Sequence, residues 1–190
     1  MINAQNRVAI WNAFFKNAWL ESKKLYEITC EEKCTKDFNV ANTPELSDDE
    51  YHRLFAIIQC YFAIEARINH LIDELMEDKV ITKDLGEAAR RLPTKAKWFL
   101  IPTLAGKQNT LDSASGPYQV IAQICDLRNE FIHVNYPLLK KKLPSAKTIL
   151  SYFKRFVEAM EDMNVVLGRH DKPNQDIISL GTFDNVKKSV

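Results

Sequence analysis

The sequence predicts an all-α protein, an antiparallel helical bundle with an N-terminal helical extension. Only 5 of the 190 residues are glycine, and the alternating apolar runs typical of strands are scarce. Apolar residues recur instead at three- and four-residue spacing, which is the pattern of amphipathic helices. With 46% hydrophobic residues, among them 10 Phe, 6 Tyr and 3 Trp, the chain has enough side-chain volume for a packed core.

Three segments are predicted along the chain. A first helix is expected over residues 5–28, where the apolar side chains fall on one face, and residues 30–46 have a linker composition without periodicity. The organisation is therefore an N-terminal helix and linker (1–45), a helical bundle (46–170) and a polar C-terminal tail (171–190). The apolar face of the first helix would pack on the bundle, complete a dimer or bind another protein.

Helix boundaries within the bundle are marked by local signals. Ser47 and Glu50 form a capping-box pattern at the start of a long helix. Pro93, Gly106 and Pro137 separate the helices that follow. The helices of the bundle are predicted over residues 47–77, 85–91, 94–104, 116–135 and 144–168.

Charge and cysteine content exclude several classes of protein. The 26 Lys plus Arg balance 25 Asp plus Glu, for a net charge of +1, which excludes a uniformly basic nucleic-acid coat and a polyanionic mimic. No apolar stretch approaches the roughly 20 residues of a membrane span, so we expect a cytoplasmic protein without membrane contact. Four scattered cysteines favour reduced thiols. The spacing of Cys30 and Cys34 would suit a metal only with a second pair, so neither metal nor cofactor is expected.

The helix predicted over residues 116–135 carries a charged side chain on its apolar arc. At about 100° per residue, Arg128 falls among the apolar residues that should face inward. Asp126, Asn129, His133 and Tyr136 form a second, polar stripe, which predicts the wall of a cleft. A guanidinium on the inner arc needs a carboxylate or a phosphate, because its charge is costly to bury alone.

The long helix carries an acid in the same kind of position. Glu65 lies about 40° around the helix from Tyr61, among isoleucines of the apolar face. Opposite charges on the apolar faces of two helices are explained most simply if the helices pack together. We therefore predict that Glu65 and Arg128 meet or share a site.

The residues around Arg128 resemble a known family signature. Arg128-Asn129-Glu130-Phe131-Ile132-His133 is an R-x4-H motif with a polar residue directly after the Arg, and it resembles the motif of the HEPN superfamily, whose all-helical domains pair two long antiparallel helices. Residues 63–69 and 97–102 also resemble the corresponding stretches of bacterial HEPN-like proteins. The resemblance covers residues 47–168.

This resemblance implies a metal-independent endoribonuclease that works as a homodimer on RNA. His133 would act as general base or acid, Arg128 would hold the phosphate, Asn129 would position the phosphate or the His, and Glu65 would orient or activate. The equivalent residues of two protomers would face each other across a two-fold axis. The family also implies a role as a toxin or defence effector, with an antitoxin or another protein as partner.

Residues after the motif are further candidates for contact with RNA. Some HEPN enzymes carry a Tyr two residues after the His, whereas here that position is Asn135 and Tyr136 follows it. Tyr136, Lys140 and Lys141 would bind substrate at the mouth of the cleft. The alternative for the lysines is a solvated turn.

A structural interpretation of the same residues stays open. Arg128, His133 and Glu65 also fit a polar network that ties the long helices together. The protein would then be an interaction protein in which Arg128 and Glu65 serve only stability. A further alternative is a non-catalytic HEPN-like module that binds RNA, a nucleotide or a protein partner through the same cleft. For Arg90, Arg91, Lys95 and Lys97, a solvated helix face is favoured over contact with RNA, and both interpretations stay open. Trp98 is expected in the core.

Overall fold

The computed structural model describes part of the chain: residues 46–108, 110–111, 114, 116–133 and 143–169, with scattered helical positions between 13 and 25. All regular structure within these residues is helical, which confirms the predicted all-α class and the helical bundle. The main helices are α1 (Asp48–Glu77), α2 (Lys83–Arg90), α3 (Thr94–Leu104), α4 (Tyr118–His133) and α5 (Ala146–Val166). None of the helices described is long and apolar enough to cross a membrane.

Local signals fix where α1 and α4 begin. The Ser47 hydroxyl accepts from the Glu50 amide at 3.3 Å, and the Glu50 carboxylate accepts from the Ser47 amide at 2.9 Å, so the predicted capping box is present. The helix predicted from residue 116 begins at Tyr118 instead. Gly116 has a φ of 65° and lies in the turn before α4. This left-handed backbone conformation cannot be part of a right-handed helix, so the helix begins after it.

Contacts between helices give the bundle alternating directions. Arg53 near the start of α1 donates to the carbonyl of Pro144, just before α5, and Arg67 farther along α1 donates to Asn164 near the end of α5. These two helices therefore run in the same direction. Tyr118, the first residue of α4, lines a pocket together with Asp162 near the end of α5, whereas Arg128 farther along α4 lies against Tyr61 of α1. The helix α4 therefore runs in the opposite direction to α1 and α5.

The core lies along the predicted apolar stripe of α1. Ile64, Ile68 and Ile72 are fully buried, together with Phe153 and Phe156 of α5. Trp98 of α3 is also buried, as predicted, and its indole N–H donates to the Ile64 carbonyl at 3.3 Å. Because the buried indole needs a polar partner, this bond fixes the position of α3 along the axis of α1.

The described positions of the N-terminal extension pack on α1. The Phe14 and Phe62 rings are 5.2 Å apart, and Glu21 accepts a 2.8 Å bond from His52. Ala18 and Leu25 are fully buried in the same core. Packing on the bundle is thus the arrangement that these positions adopt. The predicted linker up to residue 45 and the tail over 171–190 lie outside the described residues.

We predict that acid weakens the ion pair between Glu74 of α1 and Arg169, which follows the end of α5. Burial acts to raise the pKa of Glu74, but the His70 hydrogen bond and the charges of Arg67 and Arg169 lower it from 4.5 to about 2. A carboxyl with a lowered pKa in the folded state contributes stability above its unfolded pKa and loses it as the pH falls through the folded value. The window is therefore about pH 5 to pH 2. Urea unfolding of the parent and of Glu74→Gln should differ by about 2 kcal/mol at pH 7, and this difference should shrink steadily across that window. An equal difference at pH 7 and pH 2.5 would contradict the assignment.

Candidate functional site

A polar cleft opens between α1, α3 and α4. Its volume is about 470 Å³, within the range of ligand sites in proteins. We call it the Arg128 cleft, and its lining residues are Tyr61, Glu65, Arg90, Leu92, Pro93, Thr94, Lys95, Lys97, Cys125, Asp126, Arg128 and Asn129.

The residues that form the centre of the cleft come from α1, α3 and α4, and Arg90 at the end of α2 adds to its edge. Tyr61 and Glu65 are four residues apart on α1, so they share one face of the helix. The first turn of α3 lies over this face and is held there by a 3.0 Å hydrogen bond between the hydroxyls of Tyr61 and Thr94. Arg128 projects from α4, which closes the other side of the cleft.

Glu65 belongs to a closed polar network on the floor of the cleft. Its carboxylate accepts from the Lys97 ammonium at 2.5 Å and from the Asn69 amide at 3.2 Å. Lys97 also donates to the amide oxygen of Asn69 at 2.9 Å. The Lys97 side chain is only 3% exposed, whereas the Glu65 side chain is 29% exposed, so the ammonium is removed from water and the carboxylate only in part. Lys97 is therefore not on the solvated face that its helical position suggested.

The predicted meeting of Glu65 and Arg128 takes the form of a shared site. Both side chains line the cleft, but no ion pair joins these two described residues. The physical reason is the position of α3, which lays Lys97 directly against Glu65. Glu65 is thereby neutralised by a third helix, and Arg128 is left with other contacts.

Arg128 makes its contacts without a carboxylate. Its guanidinium carbon lies 4.8 Å from the centroid of the Tyr61 ring, and its Nη1 donates to the Asn129 side-chain oxygen at 3.1 Å. The residue is half-buried. Arg128 therefore faces inward as expected. Its contacts are an aromatic ring and a neutral amide instead of the expected acid.

The other cations that line the cleft are paired with acids. Lys95 contacts Asp126 at 3.1 Å, and Lys97 contacts Glu65 as described. Arg90 contacts Asp73, which is buried on α1. Within the described part of the chain, Arg128 is thus the lining cation that has no carboxylate partner.

The one thiol in the cleft is not a nucleophile at neutral pH. Burial, followed by the nearby Asp126 and Glu65 carboxylates, raises the pKa of Cys125 to about 12. The thiolate is the reactive form, so the group stays inert. Among the residues that the structure covers, no three His, Cys, Asp or Glu side chains converge as a metal site would require.

The remaining predicted site residues fall into two groups. Asp126 and Asn129 lie on the wall of the cleft, as their stripe on α4 predicted. His133 is the last residue of α4, and its side chain is outside the described part of the structure. Tyr136, Lys140 and Lys141 also lie outside the described residues.

Tyr61 and Thr94 are hydroxyl-bearing side chains of the cleft that sequence reasoning does not identify as site residues. Tyr61 belongs to the apolar stripe by its spacing, but it is also four residues from Glu65 and therefore lies on the same face of the helix. Thr94 was taken only for the start of a helix, and it is buried against Tyr61. The sequence signal for Tyr61 is a hydroxyl-bearing residue four positions before an acid on the same helix face.

No protein-family model, curated protein or solved structure matches this chain. The resemblance to HEPN domains therefore remains one of motif and helical pattern.

We predict that Glu65 is energetically coupled to Lys97 more strongly than to Arg128. Lys97→Met should lower the free energy of unfolding by about 2 kcal/mol or more, because it leaves the Glu65 carboxylate with an amide as its polar partner. A double-mutant cycle of Glu65→Gln with Lys97→Met should give a coupling energy of about 1–3 kcal/mol in urea unfolding. The matched cycle with Arg128→Met is the control and should give a smaller value. Equal coupling in the two cycles would contradict the observed pairing.

Proposed function

We propose that the Arg128 cleft binds a phosphate of RNA and that the protein is a metal-independent endoribonuclease of the HEPN type. The observation that carries the proposal is the charge pairing around the cleft. Lys95, Lys97 and Arg90 have acidic partners, whereas Arg128 has none among the described residues. A ligand that enters the cleft therefore meets one uncompensated positive charge.

A phosphate is the ligand that suits this charge best. Guanidinium remains protonated at all physiological pH values and presents five N–H donors in a planar fork. One of these donors goes to Asn129, and the others have no hydrogen-bond partner among the described residues, so they can reach a ligand oxygen. A phosphodiester carries one negative charge, which matches the single unpaired cation, and two free oxygens that can accept from the fork.

The motif around Arg128 supplies groups that fit cleavage of that phosphodiester. In the proposed reaction, His133 takes the proton from the ribose 2′-hydroxyl. The 2′-oxygen then forms a bond to phosphorus while the bond from phosphorus to the 5′-oxygen breaks. The leaving oxygen takes a proton from an imidazolium, and the products are a 2′,3′-cyclic phosphate and a 5′-hydroxyl. Arg128 stabilises the negative charge that gathers on the phosphate oxygens.

Asn129 and Glu65 have supporting roles in this proposal. The Asn129 amide oxygen holds Arg128, and its exposed position on the cleft wall leaves its amide N–H groups available for the phosphate. Glu65 is occupied by Lys97 and Asn69. We therefore assign to Glu65 the neutralisation of Lys97 rather than proton transfer.

Two copies of the chain would complete the site. Arg128 and His133 are five residues apart on α4, which separates them by about 140° around the helix and about 7.5 Å along it. Side chains so placed do not share one narrow stripe. A partner protomer related by a two-fold axis would bring a second imidazole to the scissile phosphate, so that one serves as base and the other as acid.

We predict cleavage of RNA that survives EDTA and leaves 2′,3′-cyclic phosphate ends. Arg128→Ala should reduce the cleavage rate about 10²–10³-fold, the range for loss of one oxyanion-stabilising donor. His133→Ala should reduce it about 10²–10⁴-fold. The measurement is a gel assay on a labelled RNA of mixed sequence, with product ends identified by mass spectrometry.

Two controls make this test decisive. Lys154→Ala removes an exposed cation from α5, away from the cleft, and should cleave RNA at the parent rate. DNA of the same sequence should stay intact, because it lacks the 2′-hydroxyl. Parent-level cleavage by Arg128→Ala would reject the proposed role of the cleft. RNA binding without turnover would instead identify a non-catalytic RNA-binding module.

A further inference from the structure

Tyr61 lies directly against the guanidinium to which we assign phosphate binding. The ring centroid is 4.8 Å from the guanidinium carbon of Arg128, inside the distance at which an aromatic face attracts a cation. Tyr61 and Arg128 come from different helices, α1 and α4, so this contact crosses the cleft. It is the one cross-helix contact that holds Arg128 among the described residues.

The Tyr61 ring is itself held in place from the opposite end. Its hydroxyl shares a 3.0 Å hydrogen bond with the Thr94 hydroxyl. Thr94 is buried at the first position of α3, next to the N-terminal cap Pro93. The ring is thus fixed by α1 at its Cβ and by α3 at its hydroxyl, and it offers a rigid surface to a long, flexible side chain.

An aromatic face holds a guanidinium in a different way from a carboxylate. A carboxylate accepts from the N–H donors, which are the groups that a phosphate needs. The face of a ring attracts the cation through its quadrupole and uses none of those donors. Lys97 illustrates the first case, because two of its donors are taken by Glu65 and Asn69.

We propose that Tyr61 is a positioning residue that holds the Arg128 guanidinium at the cleft with its N–H donors open to the phosphate of the ligand. This inference rests on the proposed function, since the ligand is the RNA phosphate assigned above. Tyr61 acts through Arg128 and does not touch the RNA.

The first experiment measures the arrangement without any ligand. In NMR spectra of the full chain, the Arg128 side-chain protons should be shifted upfield by the ring current of Tyr61. Tyr61→Phe keeps the ring and should retain the shift, whereas Tyr61→Leu should abolish it. An Arg128 signal that does not move in Tyr61→Leu would overturn the proposal, whatever the protein does with RNA.

The second experiment measures binding of a 2′-O-methyl RNA oligonucleotide, which cannot be cleaved by the proposed reaction. Fluorescence anisotropy should show about 2- to 30-fold weaker binding by Tyr61→Leu, the effect of losing a cation–π contact. Tyr61→Phe should bind within about twofold of the parent. A loss of equal size in Tyr61→Phe would assign the effect to the Thr94 hydrogen bond and contradict the role of the ring.

A double-mutant cycle separates action through Arg128 from direct contact with RNA. In an Arg128→Ala background, Tyr61→Leu should weaken binding of the same oligonucleotide no further. If Tyr61→Leu costs as much in that background as in the parent, the ring binds RNA itself and the proposal fails. Failure of the proposed nuclease function would appear differently, as absence of cleavage with the NMR signature intact.

Discussion

The charge of Arg128 is the constraint on which the interpretation of this protein depends. A guanidinium that is half-buried between two helices loses hydration, and it is normally compensated by a carboxylate. Here the neighbouring acid Glu65 is bound by Lys97, and Arg128 contacts an aromatic ring and a neutral amide. No carboxylate among the described residues neutralises the Arg128 charge, so this charge attracts an anion that enters the cleft. This arrangement is the physical basis for expecting a phosphate ligand.

The fold creates the constraint by packing α3 against both α1 and α4, the two helices that carry Glu65 and Arg128. The buried Trp98 sets α3 against α1, and Lys97 is the residue before it. Lys97 therefore reaches Glu65 as a consequence of where the indole packs. Because removing one partner of this pair would leave the other charge without its partner, the pair favours the observed position of α3 against α1.

Sequence periodicity predicted much of the fold and part of the site. The capping box at Ser47 and the isoleucine stripe of α1 follow from local rules, and so does the inward position of Arg128. The pairing of Lys97 with Glu65 did not follow, because a lysine in a helical pattern is expected on the solvated face, and periodicity does not show that the neighbouring helix brings an acid against it. Tyr61 was missed for a related reason: an aromatic residue on an apolar stripe has the same pattern whether it fills the core or faces a cleft.

The most direct test of the central claim is a crystal structure of the protein with a short 2′-O-methyl RNA. The account predicts a backbone phosphate within hydrogen-bond distance of the Arg128 guanidinium, with the Tyr61 ring still against the guanidinium and His133 of either protomer beside the adjacent ribose. RNA bound on another surface, with the Arg128 cleft free of phosphate, would contradict it.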